Sequence, residues 1–350
     1  MTGGRVISFR EAITEALRQE MRRDARVILM GEDVAGGAGR QAQGLSEAWG
    51  GAFAEYKGLF TEFGDGRVLD TPISEMGYLG AAVGAAVTGL RPVAELMFVD
   101  FIGVCLDQLM NQAAFARYMS GGRVHVPLTL ITHVGAGVGM AAQHSKMLYS
   151  FFAHIPGLKV VAPSSAYHAK GLLTAAIRDD DPVVFCAHKL LLGQSEHVPE
   201  EPYAFPIGQA RVAREGRDVT LIGAALTTSV CLRAAQALEE DGIDAEVVDL
   251  LSLSPLDEET VLASVRRTGR AVVVDEGFPR CGLAVDVAAL IGERAFDDLD
   301  GPVRTVTAPH APVPFSRPLE TAFMPSADQV RAAVLDLTAP NTGPSGRTGA

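Results

Sequence analysis

Several features that would assign this chain quickly are missing. The Gly-, Ala-, Val- and Leu-rich run that follows Glu75 carries no charge for fifteen residues and stops at Arg91. A membrane-spanning helix needs about 20 apolar residues, so the run reads as a buried helix of a soluble protein. Cysteine is sparse: Cys105, Cys186, Cys231 and Cys281 form no CxxC pair, which argues against a disulfide ladder or a zinc site and fits reduced thiols in a cytoplasm. Basic residues are outnumbered, 30 Lys and Arg against 42 Asp and Glu, for a net charge of -12. Such a surface repels phosphate backbones and anionic lipid, so neither nucleic acid nor a membrane is an expected partner. The first residues, "MTGGRVISFREAITEALRQEMRRD", lack the apolar core of a signal peptide, and Ile13, Leu17 and Met21 instead mark an amphipathic helix. GxSxG, HExxH and the Gly-Lys-Ser/Thr phosphate loop are also absent, which removes sequence support for hydrolase, zincin and nucleotidase chemistry.

What is present is an alternation. "RVILMGED", "PVAELMF", "PLTLITHV", "KVVAP" and "PVVFCAH" read as strands, with helices between them at about 101–119 and 165–179, the pattern of a parallel sheet covered on both faces. The proline-bearing segment 191–208 separates this unit from a second one. There "DVTLIGA", "AEVVDL", "AVVVDE" and "VRTVTA" alternate with helical patterns at about 228–241, 257–268 and 281–297. The fold class is therefore α/β, a doubly wound parallel sheet over residues 1–200 followed by a smaller α/β domain over 201–337. The tail 338–350 has no apolar pattern to bury and is expected to be disordered. The long glycine-rich stretch "VAGGAGRQAQGLSEAWGG" reads as a functional loop.

Single residues stand out weakly. Glu75, after "DTPIS", is either a first-turn acid on the helix dipole or a poorly solvated carboxylate facing an apolar wall, suited to exchanging a proton with a nitrogen heterocycle. His144 in "AAQHSKM" lies where a βα loop would meet a ligand, although a structural histidine is the commoner case. Phe101 could equally pack in the core. "GAGVG" at 135–139 follows a strand, but Met140 occupies the third glycine position of a dinucleotide motif and no acid follows at about 20 residues.

In combination these residues acquire a family. "RVLDTPISEMGYLGAAVGAAVTGLRPVAELMFVDF", "CLDQLMNQAAFARYMSGG", "AAQHSKMLYSFFAHIPGLKVVAPSSAYHAKGLL", "AIRDDDPVVF", "VVVDEGFPRCG" and "VTAPHAPVPFS" closely resemble the β subunits of thiamine-diphosphate-dependent 2-oxoacid dehydrogenases. The resemblance spans roughly residues 5–335, and "GEDVAGGAGR" and "AWGG" make the chain most similar to the acetoin-type members. It implies a pyrimidine-binding domain followed by a transketolase C-terminal-like domain. It implies that Glu75 hydrogen-bonds the aminopyrimidine of thiamine diphosphate and promotes its imino tautomer, with Phe101 and Ile73 as contact surfaces for that ring. His144 would face the reacting carbon and assist acyl transfer to a lipoyl arm. Leu128, Ala176, Ile177, Asp179 and Asp181 map onto positions that hold potassium in relatives. "GDG" at 64–66 lacks the Asn that completes a magnesium diphosphate motif. In this family that motif belongs to an α subunit, so the resemblance implies an α2β2 heterotetramer served by a lipoyl-bearing dihydrolipoyl acyltransferase and a dihydrolipoamide dehydrogenase.

Three positions depart from the family pattern: Lys146 where relatives read Gln, Ala187 in place of an acid, and Ile131 in place of an Arg. Lys146, two residues from His144, would suit an anionic substrate. The expected function is decarboxylation of a 2-oxoacid or cleavage of acetoin, with reductive acylation of lipoamide. The alternatives are a carboligase assembled from split transketolase-like subunits and a catalytically silent scaffold of the same fold.

Overall fold

A strand in which every residue is buried must have both faces of its sheet covered, and six of the described strands satisfy that condition. The computed structural model describes residues 5–37 and 49–339; the middle of the glycine-rich stretch and the tail from residue 340 onward lie outside the described residues. The first half contributes β1 (Arg5–Ser8), β2 (Val27–Gly31), β3 (Val68–Asp70), β4 (Arg91–Phe98), β5 (Thr129–Val134), β6 (Lys159–Val161), β7 (Val183–His188) and β8 (Ser195–Val198). Its helices are α1 (Phe9–Arg23), α2 (Leu59–Phe63), α3 (Glu75–Val87), α4 (Ala116–Met119), α5 (Tyr149–Ala153) and α6 (Ala166–Arg178). The second half adds β9 (Arg211–Arg214), β10 (Val219–Gly223), β11 (Ala245–Asp249), β12 (Ser252–Ser254), β13 (Ala271–Asp275) and β14 (Arg304–Thr307). Its helices are α7 (Leu226–Glu239), α8 (Glu258–Thr268), α9 (Leu283–Arg294), α10 (Arg317–Phe323) and α11 (Ala327–Thr338).

The larger sheet runs β12-β6-β7-β5-β4-β2-β3 and the smaller runs β14-β13-β10-β11-β9. Both are parallel except at one edge, where β12 and β9 pair antiparallel, so the doubly wound α/β reading holds for both halves. Three details differ from it. Strand β12 belongs by sequence to the second half but pairs with β6 of the first, which ties the two units through the backbone. Segment 191–208 contains β8, which forms a two-stranded ribbon with β1. The single helix expected at 101–119 is broken into a 3₁₀ turn at Val99–Val104, a π-helical stretch at Gln108–Ala113 and the short α4; within it Asn111 and Gln112 both donate to the Asp107 carboxylate.

Helix α1 begins with a reciprocal cap between Ser8 and Glu11. It buries Ile13, Leu17 and Met21 and packs along α6. Helix α3, the uncharged run, buries Leu79, Ala82, Val83 and Ala86 on one face. Its other face, with Met76 and Val87, is open, and a Cβ added at Gly84 would meet nothing within 4 Å. None of the described helices is long and apolar enough to cross a membrane.

Among the buried polar positions, one carboxylate stands out in the larger sheet. Glu95, in β4, is fully buried opposite Ile131 of β5, and neither carboxylate oxygen has a hydrogen-bond partner among the described residues. Nearby, His133 holds the Met97 carbonyl through Nδ1 at 2.8 Å and meets Glu55 through Nε2. Burial pushes Glu95 up from 4.5 to about 8, with His133 opposing the shift. Because the folded state favours the neutral acid, the stability that Glu95 contributes is full below its unfolded value and is lost as pH rises through about 8. Wild type is therefore expected to lose urea stability, relative to Glu95→Gln, between pH 4.5 and 8; parallel pH profiles for the two proteins would contradict this. Phe185, in the centre of β7 with no exposed surface, should cost about 3–5 kcal/mol on change to Ala, read from the same unfolding curves.

Candidate active site

In an open parallel sheet the loops at the carboxyl ends of the strands share one edge, and ligands are bound along it. Here β2 ends at Gly31 and delivers Glu32, β3 delivers the turn before Glu75, β4 delivers Phe98 and Phe101, β5 opens the loop to His144, and β7 delivers His188 and Lys189. The Asp70 carboxylate, at the end of β3, accepts from the backbone of Ala35 and Gly37 at 2.6 and 2.8 Å, which fixes the start of the loop after β2.

Glu75 is the first residue of α3, and the Ser74 side chain makes no capping bond. The helix N-terminus is thus left with free N–H groups beside an acid. The carboxylate is half-buried, while Ile73 and Met76 on either side of it are 73% and 60% exposed. The apolar wall that the sequence led us to expect is therefore complete on the α3 core side and open on the other. Glu32 is its acidic neighbour: burial, with Asp33 and Glu75 nearby, holds Glu32 above the ordinary carboxylate range.

Phe101 lies in the 3₁₀ turn after β4 and meets His144 edge-on at 5.4 Å between ring centroids. Phe98 joins both, at 5.6 Å from Phe101 and 4.8 Å from His144, and Phe53 packs behind it at 5.8 Å. Phe98 owes its position to a register shift between Leu96 and Phe98 in the β4–β5 pairing. The same turn reaches Glu75 through Cys105: its Sγ lies 3.7 Å from the Phe101 carbonyl, and burial, with the Glu75 charge adding to it, pushes the thiol up to about 12. Glu75, Phe101 and His144 thus border one edge of the sheet.

His144 sits on the loop 135–146, whose neck is closed by the Gly135 N–H donating to the Lys146 carbonyl at 3.0 Å. Lys146 is engaged within the chain. Its ammonium donates to the buried Asp100 carboxylate at 2.7 Å and to the Ala142 carbonyl at 2.6 Å, so it fastens the His144 loop to the turn that carries Phe101. Lys189 reaches the same loop, donating to the His144 carbonyl while lying 5.2 Å over the Phe98 ring; burial lowers it to about 8. Ala187 lies in fully buried strand β7, where an acid would have to be satisfied without water.

Sequence reading missed Glu32, Phe98, Lys189 and two acids of the second half, Glu276 and Glu320. The first three could have been found from a single signal, a polar or aromatic residue at a strand's carboxyl end. The same signal marks Glu276 after β13, but not Glu320 in α10, whose partners are backbone N–H groups more than 100 residues away in the chain. The five positions expected to hold potassium lie elsewhere, at the amino ends of β5 and β7 and the end of α6. There Arg91 donates to the carbonyls of Ile177 and Asp179 and, at 3.0 Å, to Asp180, the Asp179 carboxylate is held by Lys159, and that of Asp181 by Arg117. No cluster of three or more His, Cys, Asp or Glu placed to hold a metal occurs among the described residues.

Comparison with known proteins agrees with both halves of this architecture. Residues 5–194 match the family described as transketolase, pyrimidine binding domain, and residues 208–330 the family described as transketolase, C-terminal domain. The chain is 54% identical to the acetoin:2,6-dichlorophenolindophenol oxidoreductase subunit beta of Cupriavidus necator, over 94% of this chain and 96% of that one. It is 42% identical to the pyruvate dehydrogenase E1 component subunit beta of Rickettsia felis, over 94% and 97%. Among solved structures, a split-gene transketolase described as an inactive beta4 tetramer superposes with a TM-score of 0.75 at 25% identity, covering 95% of this chain and 98% of that one. The chain belongs to the family of dehydrogenase β subunits that join a transketolase pyrimidine-binding domain to a transketolase C-terminal domain.

Proposed function

We propose that the chain supplies the pyrimidine-side half of a thiamine-diphosphate active site, which an α subunit completes in an α2β2 assembly, and that the enzyme oxidises acetoin or a 2-oxoacid. The observation that carries this is Glu75. It is a half-buried acid at a helix start, tied to no described side chain, with exposed Ile73 beside it and the Phe98–Phe101–His144 ring cluster on the same sheet edge. These residues fit an aminopyrimidine: an acid to bond a ring nitrogen and apolar surfaces to hold the ring. The open face of α3, uncharged from Met76 to Leu90, is a surface on which a partner subunit would seal the carboxylate from water.

Thiamine diphosphate, when bound, supplies the carbon nucleophile and the electron sink. Glu75 holds or releases the proton shared with the ring nitrogen. Phe101 and Ile73 orient the ring by contact, and His144, held edge-on between Phe98 and Phe101, presents its imidazole to the substrate side. From there it can donate to a developing oxyanion or pass a proton during acyl transfer to a lipoyl group. A lipoyl-bearing acyltransferase and a dihydrolipoamide dehydrogenase are the partners this chemistry requires for turnover. Potassium at Leu128, Ala176, Ile177, Asp179 and Asp181 would share the Ile177 and Asp179 carbonyls with Arg91. The four cysteines are free thiols, which fits a cytoplasmic setting.

Acetoin is the favoured substrate because the acetoin-named relative is more similar to this chain than the pyruvate dehydrogenase relative is. A split transketolase-like carboligase is the second reading, supported by the 0.75 TM-score but at about half the identity. In an assay of the reconstituted α/β pair with an artificial electron acceptor, Glu75→Gln should lower turnover by roughly 10²-fold or more while the pair stays assembled. Near-normal turnover by that variant would remove Glu75 from its role, and turnover of sugar phosphates but not of acetoin, pyruvate or branched 2-oxoacids would favour the carboligase.

A further inference from the structure

The loop "GAGVG" fails as a dinucleotide motif, yet its backbone binds anions. Glu320 of α10, 2% exposed, accepts from the Gly137 N–H at 2.7 Å and from the Gly139 N–H at 3.1 and 3.0 Å. Glu276, which follows β13 and is 3% exposed, accepts from the Ala136 N–H at 2.6 Å through Oε1. Its Oε2 lies 2.8 Å from His188 Nε2, and because His188 Nδ1 accepts from Leu190 N–H at 3.1 Å, Nε2 carries the proton and donates. A run of N–H groups converging on one carboxylate is an anion nest, and each bond is charge-assisted. The glycines are obligatory here. A Cβ on Gly135 (φ +89°) would stand 2.0 Å from His188 Nε2, and one on Gly137 (φ +102°) 2.4 Å from Leu190 Cδ1.

We propose that Glu276 and Glu320 are positioning residues through which the C-terminal domain sets the place of His144. The outgoing limb of the loop 135–146 is held by these two carboxylates. The returning limb is held by Lys189 at the His144 carbonyl and by Lys146 at Ala142, and the Gly135–Lys146 bond closes the neck. With both limbs and the neck tethered, the imidazole has one location against Phe98 and Phe101. Releasing Glu320 frees Gly137–Gly139, the outgoing limb that leads into His144 and is otherwise tethered only through Ala136 and the neck, whereas Glu75, on α3, is untouched. The C-terminal domain therefore acts on the substrate side of the site and not on the ring-binding side.

This inference rests on the role proposed for His144, and its test separates the two. Glu320→Ala in the reconstituted α/β pair should lower kcat by about 10- to 10²-fold, the scale of a misplaced catalytic group. The half-saturating thiamine diphosphate concentration should stay within about twofold, since a site displaced only at His144 still binds the ring. Glu320→Gln, whose amide oxygen still accepts from one N–H, should recover part of the loss. In a His144→Ala background the Glu320→Ala change should cause no further loss, because groups acting through one another are not additive. Losses that multiply in the double variant, a parallel fall in cofactor affinity, or full activity of Glu320→Ala would overturn the proposal. If the wild-type pair turns over no substrate, the functional reading fails instead, and backbone amide exchange carries the test: Glu320→Ala should speed exchange across 137–146 and leave α3 unchanged, and unaltered exchange in the loop would overturn the proposal.

Discussion

A carboxylate taken out of water must find donors, and in this chain two carboxylates from the C-terminal domain find them on the backbone of the pyrimidine-binding domain. Glu276 and Glu320 each accept from N–H groups of the loop that leads to His144. Asp275, beside Glu276, receives the Tyr149 hydroxyl and the N–H groups of Gly277 and Ala284. A buried, unpaired charge is far more costly than a paired one, so these acids hold the domains in register as well as holding the loop. Strand β12, paired to β6, makes the same junction through the backbone. The loop that carries His144 is therefore held from both halves of the chain.

The other side of the site is left open. Glu75 begins a helix whose core face is fully packed and whose outer face shows Met76, Gly84 and Val87 to solvent. An isolated globular domain gains nothing by exposing such a face, whereas a subunit that must meet another gains apolar area to bury. The two sides differ physically: one is fixed within the chain by hydrogen bonds over long sequence distances, and the other waits for a surface from outside. The proposed function rests on this division: a catalytic unit split in this way would stay silent until its parts met.

Much of the fold was legible in the sequence because its strands are buried on both faces and read as apolar runs, as "LITHV" and "VVFCAH" do. Helix α1 was legible from Ile13, Leu17 and Met21. What escaped were features with no local period. The change from 3₁₀ turn to π-helical stretch to α4 over 99–119 leaves no single period to read, and β12 is only three residues long and gains its strand character from β6. Glu75, Phe101 and His144 were singled out from the sequence and its resemblance, and the structure sets them along one sheet edge, but the partners of Lys146 were not legible there. Its charge promised an anion, and the structure assigns it to Asp100. The glycines at 135, 137 and 139 were read as a tight loop bordering a pocket, and the anions they serve, Glu276 and Glu320, lie 140 and more residues away.

The central claim is that this chain holds one half of a thiamine-diphosphate site. Calorimetric titration of thiamine diphosphate with magnesium into the β chain alone, the α chain alone and the assembled pair tests it most directly. The account predicts saturable binding at one site per αβ unit in the pair and none at comparable concentration in the β chain alone. Full-affinity binding by the β chain alone, or no binding by the pair, would contradict it.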